Sequence, residues 1–377
     1  MMFKKKKIFF ITGTRADYGK IKPIIQILEK KFNVYIFVTG MHLLSKYGST
    51  HIIISKECKN SKIIKFRNQT GHQSQEKIIS NTINGFTIHL KKINPDLVIV
   101  HGDRIEAFAA SIASSINNFL VGHIEGGEIS GTIDEHLRHA ISKLSHVHFV
   151  SNVQAKKRLI KMGEIKKLIF VVGSPDIDVM ASKKLPSINI VKKRYGISFS
   201  NFGISIYHPV TTDLKNLKVN SNIYFDTLIK SKNNYLIIYP NNDPGSDLIL
   251  RIIKKKINKN KKFKVLKSMR FEYFLTVLKY CRFIIGNSSA GIREAPFYGV
   301  PTINIGDRQY NRANLKSVKN INYSKSKILK EIFKVPEKRF VKELFFGAGK
   351  SSIKINKILN NKNFWNIPIQ KKYYSED

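Results

Sequence analysis

Short runs of β-branched and aromatic residues alternate along this chain with stretches of helical length, and the alternation runs through twice. Strands separated by helices pair in parallel, because a parallel neighbour needs a long crossover and a helix supplies one. In the first half the strand candidates are residues 7–12, 34–39, 97–101, 120–124, 147–150 and 168–172. Residues 73–93 predict a helix: Ile78, Ile79, Ile83, Phe86 and Leu90 fall near a 3.6-residue period, and Asn94-Pro95-Asp96 stops it. The rhythm breaks over residues 182–200, where Lys, Pro and Ser cluster. It restarts with strand candidates 202–207, 235–239, 263–266, 282–285 and 302–305, interleaved with helices such as 271–280 and 292–298. A chain of 377 residues is also too long for one ordinary core. The expected fold is α/β, with two Rossmann-like, doubly wound domains over residues 1–185 and 186–350. Residues 351–377 form a helix near 351–359, expected to cross back to the first domain, and a tail frayed from residue 371. Doubly wound sheets take ligands where loops leave the carboxyl ends of their strands, so the two domains are expected to face each other across a cleft.

The formal charge of +40 raises a nucleic-acid or anionic-membrane partner. The lysines argue against both, because they are spread along the whole chain and the runs at 4–7 and 254–256 carry no interleaved aromatics. No apolar stretch approaches the ~18 residues of a membrane span, and the run Ile8 to Ile11 is too short for a secretion signal. The two cysteines, Cys58 and Cys281, form neither a disulfide framework nor a metal-ligand spacing. The expectation is a cytoplasmic protein. The scarce acids are less evenly placed: Asp96, Asp103, Glu106, Glu125, Glu128, Asp134 and Glu135 are seven of 26 and lie within 40 positions, where an even spread would put about three. Carboxylates gathered against a basic background suit a site that moves protons, although a helix start or an ion-pair network gathers them equally well.

The residues just after strands carry the remaining signals. Gly13-Thr14-Arg15-Ala16-Asp17-Tyr18-Gly19 is a glycine turn into a helix, suited to an anion with Arg15 as a paired charge, or simply a strand-to-helix turn. Gly102-Asp103-Arg104 places Asp103 at a strand end, as a proton carrier or as the cap of the next helix. His123-Ile124-Glu125-Gly126-Gly127-Glu128 brings Glu125 to the next strand end. Thr132-Ile133-Asp134-Glu135 has the form of a capping box, with Asp134 in the first turn and Arg138 one turn later. In the second half, His208 follows a strand directly, and Asn241 lies in a polar strand-end loop. Gly286-Asn287-Ser288-Ser289-Ala290-Gly291-Ile292-Arg293-Glu294 reads as a diphosphate cradle at a helix start, with Glu294 placed for ribose hydroxyls, or as a tight turn with Ser caps. Gly306-Asp307-Arg308 adds a cation at a further strand end.

Taken together, the motifs at 13–17, 102–104, 123–128, 131–140, 208–212 and 286–294 resemble the hydrolysing UDP-N-acetylglucosamine 2-epimerase family, with order and spacing kept from about residue 7 to 315. The resemblance implies a GT-B-like fold and conversion of a UDP-N-acetylhexosamine into UDP and the free 2-epimer, without a metal or redox cofactor. It implies a homo-oligomer, dimer or tetramer, whose partner is a UDP-sugar rather than nucleic acid or membrane. By position, Asp103, Glu125 and Asp134 match the family's catalytic carboxylates and His208 its essential histidine. Arg15, Asn241, Ser288, Ser289, Glu294 and Arg308 match nucleotide contacts, and Phe274 the aromatic position near uracil. Asp17, Arg104 and Arg138 match further pocket residues.

The chemistry fits the inventory. Inverting C2 without redox requires a proton to leave one face and return to the other, and one base does not reach both. A GT-B glycosyltransferase would share the nucleotide half but needs no proton carriers for C2. Within the family, UDP-N-acetylglucosamine, feeding sialic acid synthesis, is the first expected substrate, and UDP-N,N'-diacetylbacillosamine, feeding legionaminic acid synthesis, the second.

Overall fold

The structure, a computed structural model, describes residues 5–45, 48–70, 73–130, 133–241, 243–309 and 311–373. The chain divides into two compact units, one of residues 1–128, 134–181 and 346–377, the other of residues 129–133 and 182–345. Its crossings at 181 and 346 differ by a few residues from the expected 185 and 350.

Among the described residues of the first unit, seven parallel strands form one sheet. They are β1 (Lys7–Thr12), β2 (Asn33–Val38), β3 (Lys62–Lys65), β4 (Leu97–His101), β5 (Val121–Ile124), β6 (Val147–Val150) and β7 (Ile169–Val171), in the order β3-β2-β1-β4-β5-β6-β7. Ile8 pairs with Val34 on one side and Leu97 on the other, and Val98 pairs with Val121. The central strands are apolar on both faces because helices cover both. Ile8, Phe10, Leu97 and Ile99 pack on one side with Ile24 of the helix Arg15–Leu28, while Phe9, Phe37, Val98 and Val100 meet Phe86 and Leu90 of the helix Gln75–Ile93 on the other. Strand β3 was not expected.

The helix Ser351–Leu359 belongs to this unit, and its Ile355 and Leu359 join the same core as Ile8. Its start is held from a distance: the Asp178 carboxylate accepts the Ser351 and Ser352 backbone N–H groups, each at 2.7 Å. The tail departs from expectation, since Lys371 is not frayed but docked by its ammonium against the carbonyls of Lys143 and Ser145.

Among the described residues of the second unit, six parallel strands follow the order β10-β9-β8-β11-β12-β13. They are β8 (Gly203–Ile206), β9 (Tyr235–Ile238), β10 (Phe263–Leu266), β11 (Phe283–Gly286), β12 (Thr302–Ile305) and the unforeseen edge strand β13 (Val318–Ile321). Tyr224, from the helix Leu217–Lys230, is fully buried against the sheet; its hydroxyl lies 2.7 Å from Ser205 Oγ and donates to the Ile285 carbonyl at 3.1 Å. Each sheet changes its direction of strand addition beside its first strand, between β1 and β4 and between β8 and β11. Those are the switch points at which doubly wound sheets take ligands.

Candidate active site

At the first switch point, the helix Arg15–Leu28 starts with a capping box: Thr14 Oγ1 accepts the Asp17 N–H, and the Asp17 carboxylate accepts the Thr14 N–H, both at 3.2 Å. The same carboxylate accepts from the Gly13 N–H at 3.0 Å and from the Thr12 hydroxyl. Asp17 thus shapes the turn that carries Arg15, the first residue of the helix. Buried Glu106 lies beneath it, since a Cβ on Gly13 or Gly40 would come within 2.6 Å of its carboxylate. Glu106 also accepts Arg104 Nε at 3.1 Å, fixing that side chain.

After β4 the chain turns at Gly102 with φ +72°. Asp103 does not cap the helix Ile105–Ile116, whose N-cap is Arg104. Its carboxylate accepts instead from Arg138 Nη2, on the helix Ile133–Leu144. The Arg138 guanidinium is buried and also donates to the Glu128 carbonyl at 3.0 Å, so it presents a fixed charge to Asp103. The turn itself is held by His123 of β5, whose Nε2 lies 2.8 Å from the Gly102 carbonyl oxygen and must donate to it. Burial pushes the His123 pKa down to about 3, so the ring stays neutral, with Nδ1 accepting from the Ser142 hydroxyl 3.0 Å away.

Glu125, just past β5, has φ +65°, a left-handed conformation that costs a non-glycine residue about 1 kcal/mol. Its buried carboxylate accepts from the Ser174 hydroxyl and lies 3.3 Å from His101 Nε2. Strained backbone held by surrounding bonds is characteristic of functional positions. The next two residues have no room for side chains, because a Cβ on Gly126 would stand 2.7 Å from His123 Nδ1 and one on Gly127 2.6 Å from the Ala155 carbonyl oxygen. Asp134 is half-buried in the first turn of the helix Ile133–Leu144. Thr132, the first member of the expected capping box, lies outside the described residues.

At the second switch point, the Asn287 side chain ties two strand ends together: Oδ1 accepts the His208 N–H at 2.7 Å and Nδ2 donates to the His208 carbonyl at 2.8 Å. His208 Nδ1 accepts the Asn241 N–H at 3.1 Å, which fixes the proton of the neutral ring on Nε2. Burial, and then the nearby Arg308 charge, hold its pKa well below 6.5. Arg308 Nη1 donates to the Asn287 carbonyl at 3.3 Å, so Arg308, His208 and the loop after β11 share one hub. Gly286 has φ +133°, and a side chain there would overlap the Ile206 carbonyl of β8.

Beyond Ser288 and Ser289 the chain departs from expectation. Instead of a helix over 292–298 there is a single α-turn, Ala290–Arg293, then a 3-10 turn, Ala295–Tyr298, because the proline at 296 has no N–H with which to continue an α-helix. Individual N–H and hydroxyl groups, rather than a long helix dipole, are the donors this loop offers an anion. Ser288 Oγ accepts the Ala290 N–H at 3.3 Å, Glu294 is buried, and Phe274 lies on the buried side of the helix Phe271–Tyr280.

Asn287, His123, Ser174, His101 and Glu106 also form the site; Asn287 and His123 stand inside motifs visible in the sequence and Glu106 is one of its clustered acids, while Ser174 and His101 meet Glu125 only through the fold.

Two Rossmann-like domains with polar, glycine-bearing loops at both switch points define a GT-B-like α/β protein. A crystal structure of UDP-GlcNAc 2-epimerase from Neisseria meningitidis bound to UDP-GlcNAc superposes with a TM-score of 0.80 at 22% identity, covering 94% of this chain and all (100%) of that one, a likeness of fold. Residues 26–360 match the family described as UDP-N-acetylglucosamine 2-epimerase. A UDP-N-acetylglucosamine 2-epimerase of Neisseria meningitidis serogroup B is 43% identical over 374 residues, 98% of each chain. A UDP-N,N'-diacetylbacillosamine 2-epimerase (hydrolyzing) of Legionella pneumophila is 34% identical over 360 residues, 94% of this chain and 95% of its own. This chain belongs to the UDP-N-acetylglucosamine 2-epimerase family.

Proposed function

We propose that this enzyme is a hydrolysing 2-epimerase, converting UDP-N-acetylglucosamine into N-acetylmannosamine and UDP by elimination to a 2-acetamidoglucal and hydration of that intermediate. The observation that carries the reading is the pair Asp103 and Glu125, held at the ends of neighbouring strands by Arg138 on one side and by Ser174 on the other. Adjacent strands stand about 4.8 Å apart, so their loops offer two separately held carboxylates, and Asp134 supplies a third. That suits a reaction in which a proton leaves C2 on one face and another arrives on the opposite face.

C2–H is a poor acid, so departure of UDP leads and the negative charge grows on the diphosphate. In the second unit, His208 Nε2–H, the Arg308 guanidinium and the Ser288 and Ser289 groups are the donors assigned to it, each worth roughly 10²–10³ in rate. Arg15 is likewise assigned to the nucleotide. Glu294 is assigned to the ribose hydroxyls, Phe274 to the surroundings of the uracil, and Asn241 to the nucleotide loop. Arg104 is a pocket residue steadied by Glu106, and Asp17 maintains the turn behind Arg15. Water then adds at C1 while C2 regains a proton. The same reading places the enzyme in the cytoplasm as a dimer or tetramer, to be checked by light scattering.

The 43% identity to the meningococcal 2-epimerase supports UDP-N-acetylglucosamine as substrate, and the 34% identity to the Legionella relative keeps UDP-N,N'-diacetylbacillosamine as the second. The test is to supply each donor separately without an acceptor, following UDP release and product configuration by NMR. UDP and N-acetylmannosamine from the first donor are expected. Turnover of the second donor alone would transfer the assignment to it, and a strict need for an acceptor would replace epimerisation with glycosyl transfer.

A further inference from the structure

The helix Ile133–Leu144 carries functional groups at one end and ends in backbone carbonyls that its own turns leave unsatisfied. The Ile141 carbonyl accepts the Ser145 hydroxyl, and those of Ser142 and Lys143 are met by a residue from the end of the chain, Ser142 also accepting the Ser145 N–H. Lys371 Nζ lies 3.2, 2.7 and 2.6 Å from the carbonyl oxygens of Ser142, Lys143 and Ser145, and 2.8 Å from Glu164 Oε2. Glu164 is buried and also faces His148 Nε2 at 2.9 Å and Lys143 Nζ at 3.2 Å. The strap is fastened on both sides of Lys371. His146 Nε2 donates to the Ile369 carbonyl at 2.8 Å while its Nδ1 accepts the Val121 N–H at 3.2 Å, and the Tyr373 ring lies 4.2 Å from Lys143 Nζ and 5.1 Å from Lys371 Nζ. The tail therefore ties the end of this helix to the starts of β5 and β6.

We propose that Lys371 is a positioning residue for the carboxylates of the first unit, acting through this helix; the inference rests on the reading of Asp103 and Asp134 as proton carriers. The ammonium satisfies carbonyls at the negative end of the helix dipole. The helix is 12 residues long, and a stiff rod of that length carries a shift at its last turn to its middle, from which Arg138 reaches Asp103, and to its first turn, where Asp134 sits.

The test compares Lys371→Met, which keeps the stem, with Lys371→Arg, which keeps the charge, and with the chain ended after Gln370. Lys371→Met and the shortened chain should lose roughly 3- to 30-fold in kcat per folded enzyme, with UDP affinity unchanged and faster amide exchange in residues 139–145. Lys371→Arg should recover most of the loss. A purely structural role would lower the melting temperature and leave kcat of the folded enzyme intact, and that result overturns the proposal. If Lys371→Met does not accumulate as folded protein, Tyr373→Leu should show a milder kcat loss of the same kind, and wild-type kcat there counts against the proposal equally. Asp103→Asn and Asp134→Asn in the same assay separate the two levels. Full turnover in both refutes the carboxylate reading, whereas loss in both with normal kcat in the Lys371 variants refutes the positioning role alone.

Discussion

Acidification should weaken the first unit by an amount that His123 makes calculable. In the unfolded chain an imidazole titrates near 6.5, while in the fold burial holds His123 to about 3 and His42 to about 4. Above pH 6.5 neither state takes the proton. As the pH falls from 6.5 towards 3–4, only the unfolded state takes it, so native stability declines through that window. At pH 5 the unfolded chain gains about 2 kcal/mol from each such imidazole, so the two rings together account for roughly 4 kcal/mol of loss relative to pH 7.5. The chain's single tryptophan, Trp365, packs against Phe32 at 6.0 Å in the first unit and reports its unfolding by fluorescence. Other buried groups titrate too, so the decisive quantity is a difference of differences. Denaturant unfolding at pH 7.5 and 5.0 should show His123→Gln losing about 2 kcal/mol less on acidification than the wild type. Equal losses in the two proteins would refute the account of His123 as a buried neutral ring holding the turn before Asp103.

The remaining expectations concern the site. Asp103→Asn, Glu125→Gln and Asp134→Asn should each lower turnover by at least ~10²-fold with UDP affinity nearly unchanged, measured by steady-state kinetics and calorimetry; near-normal turnover in two of the three would remove them from catalysis. Arg308→Ala and Glu294→Ala should weaken UDP binding by about 1–3 kcal/mol each, and unchanged affinity in both would move the nucleotide site elsewhere.

The central strands were legible because burial on both faces makes them continuous apolar runs, as in Ile8 to Ile11. The edge strands β3 and β13 were not, since Lys62, Lys65, Lys319 and Asn320 face solvent and break the pattern. Motifs at strand ends identified candidate residues, while their partners stayed hidden. Helical spacing sets Arg138 beside Asp134, yet it reaches Asp103, 35 positions away. From sequence, Asp103 is an even choice between proton carrier and helix cap, and only the observed N-cap at Arg104 excludes the cap. The left-handed backbone of Glu125 and the docking of Lys371 had no local signal, because both depend on residues brought together by the sheet.

The most direct test of elimination and hydration is the fate of the C2 proton and the anomeric oxygen. Turnover of UDP-N-acetylglucosamine in D₂O should yield N-acetylmannosamine carrying deuterium at C2. In ¹⁸O-labelled water, label should enter the anomeric hydroxyl and not UDP, with prompt analysis because that hydroxyl also exchanges spontaneously. Deuterium at C2 together with inverted configuration, seen in one NMR experiment, is the predicted result; an epimerised product that keeps its original C2 proton would contradict the mechanism, and a product with retained C2 configuration would contradict epimerisation itself.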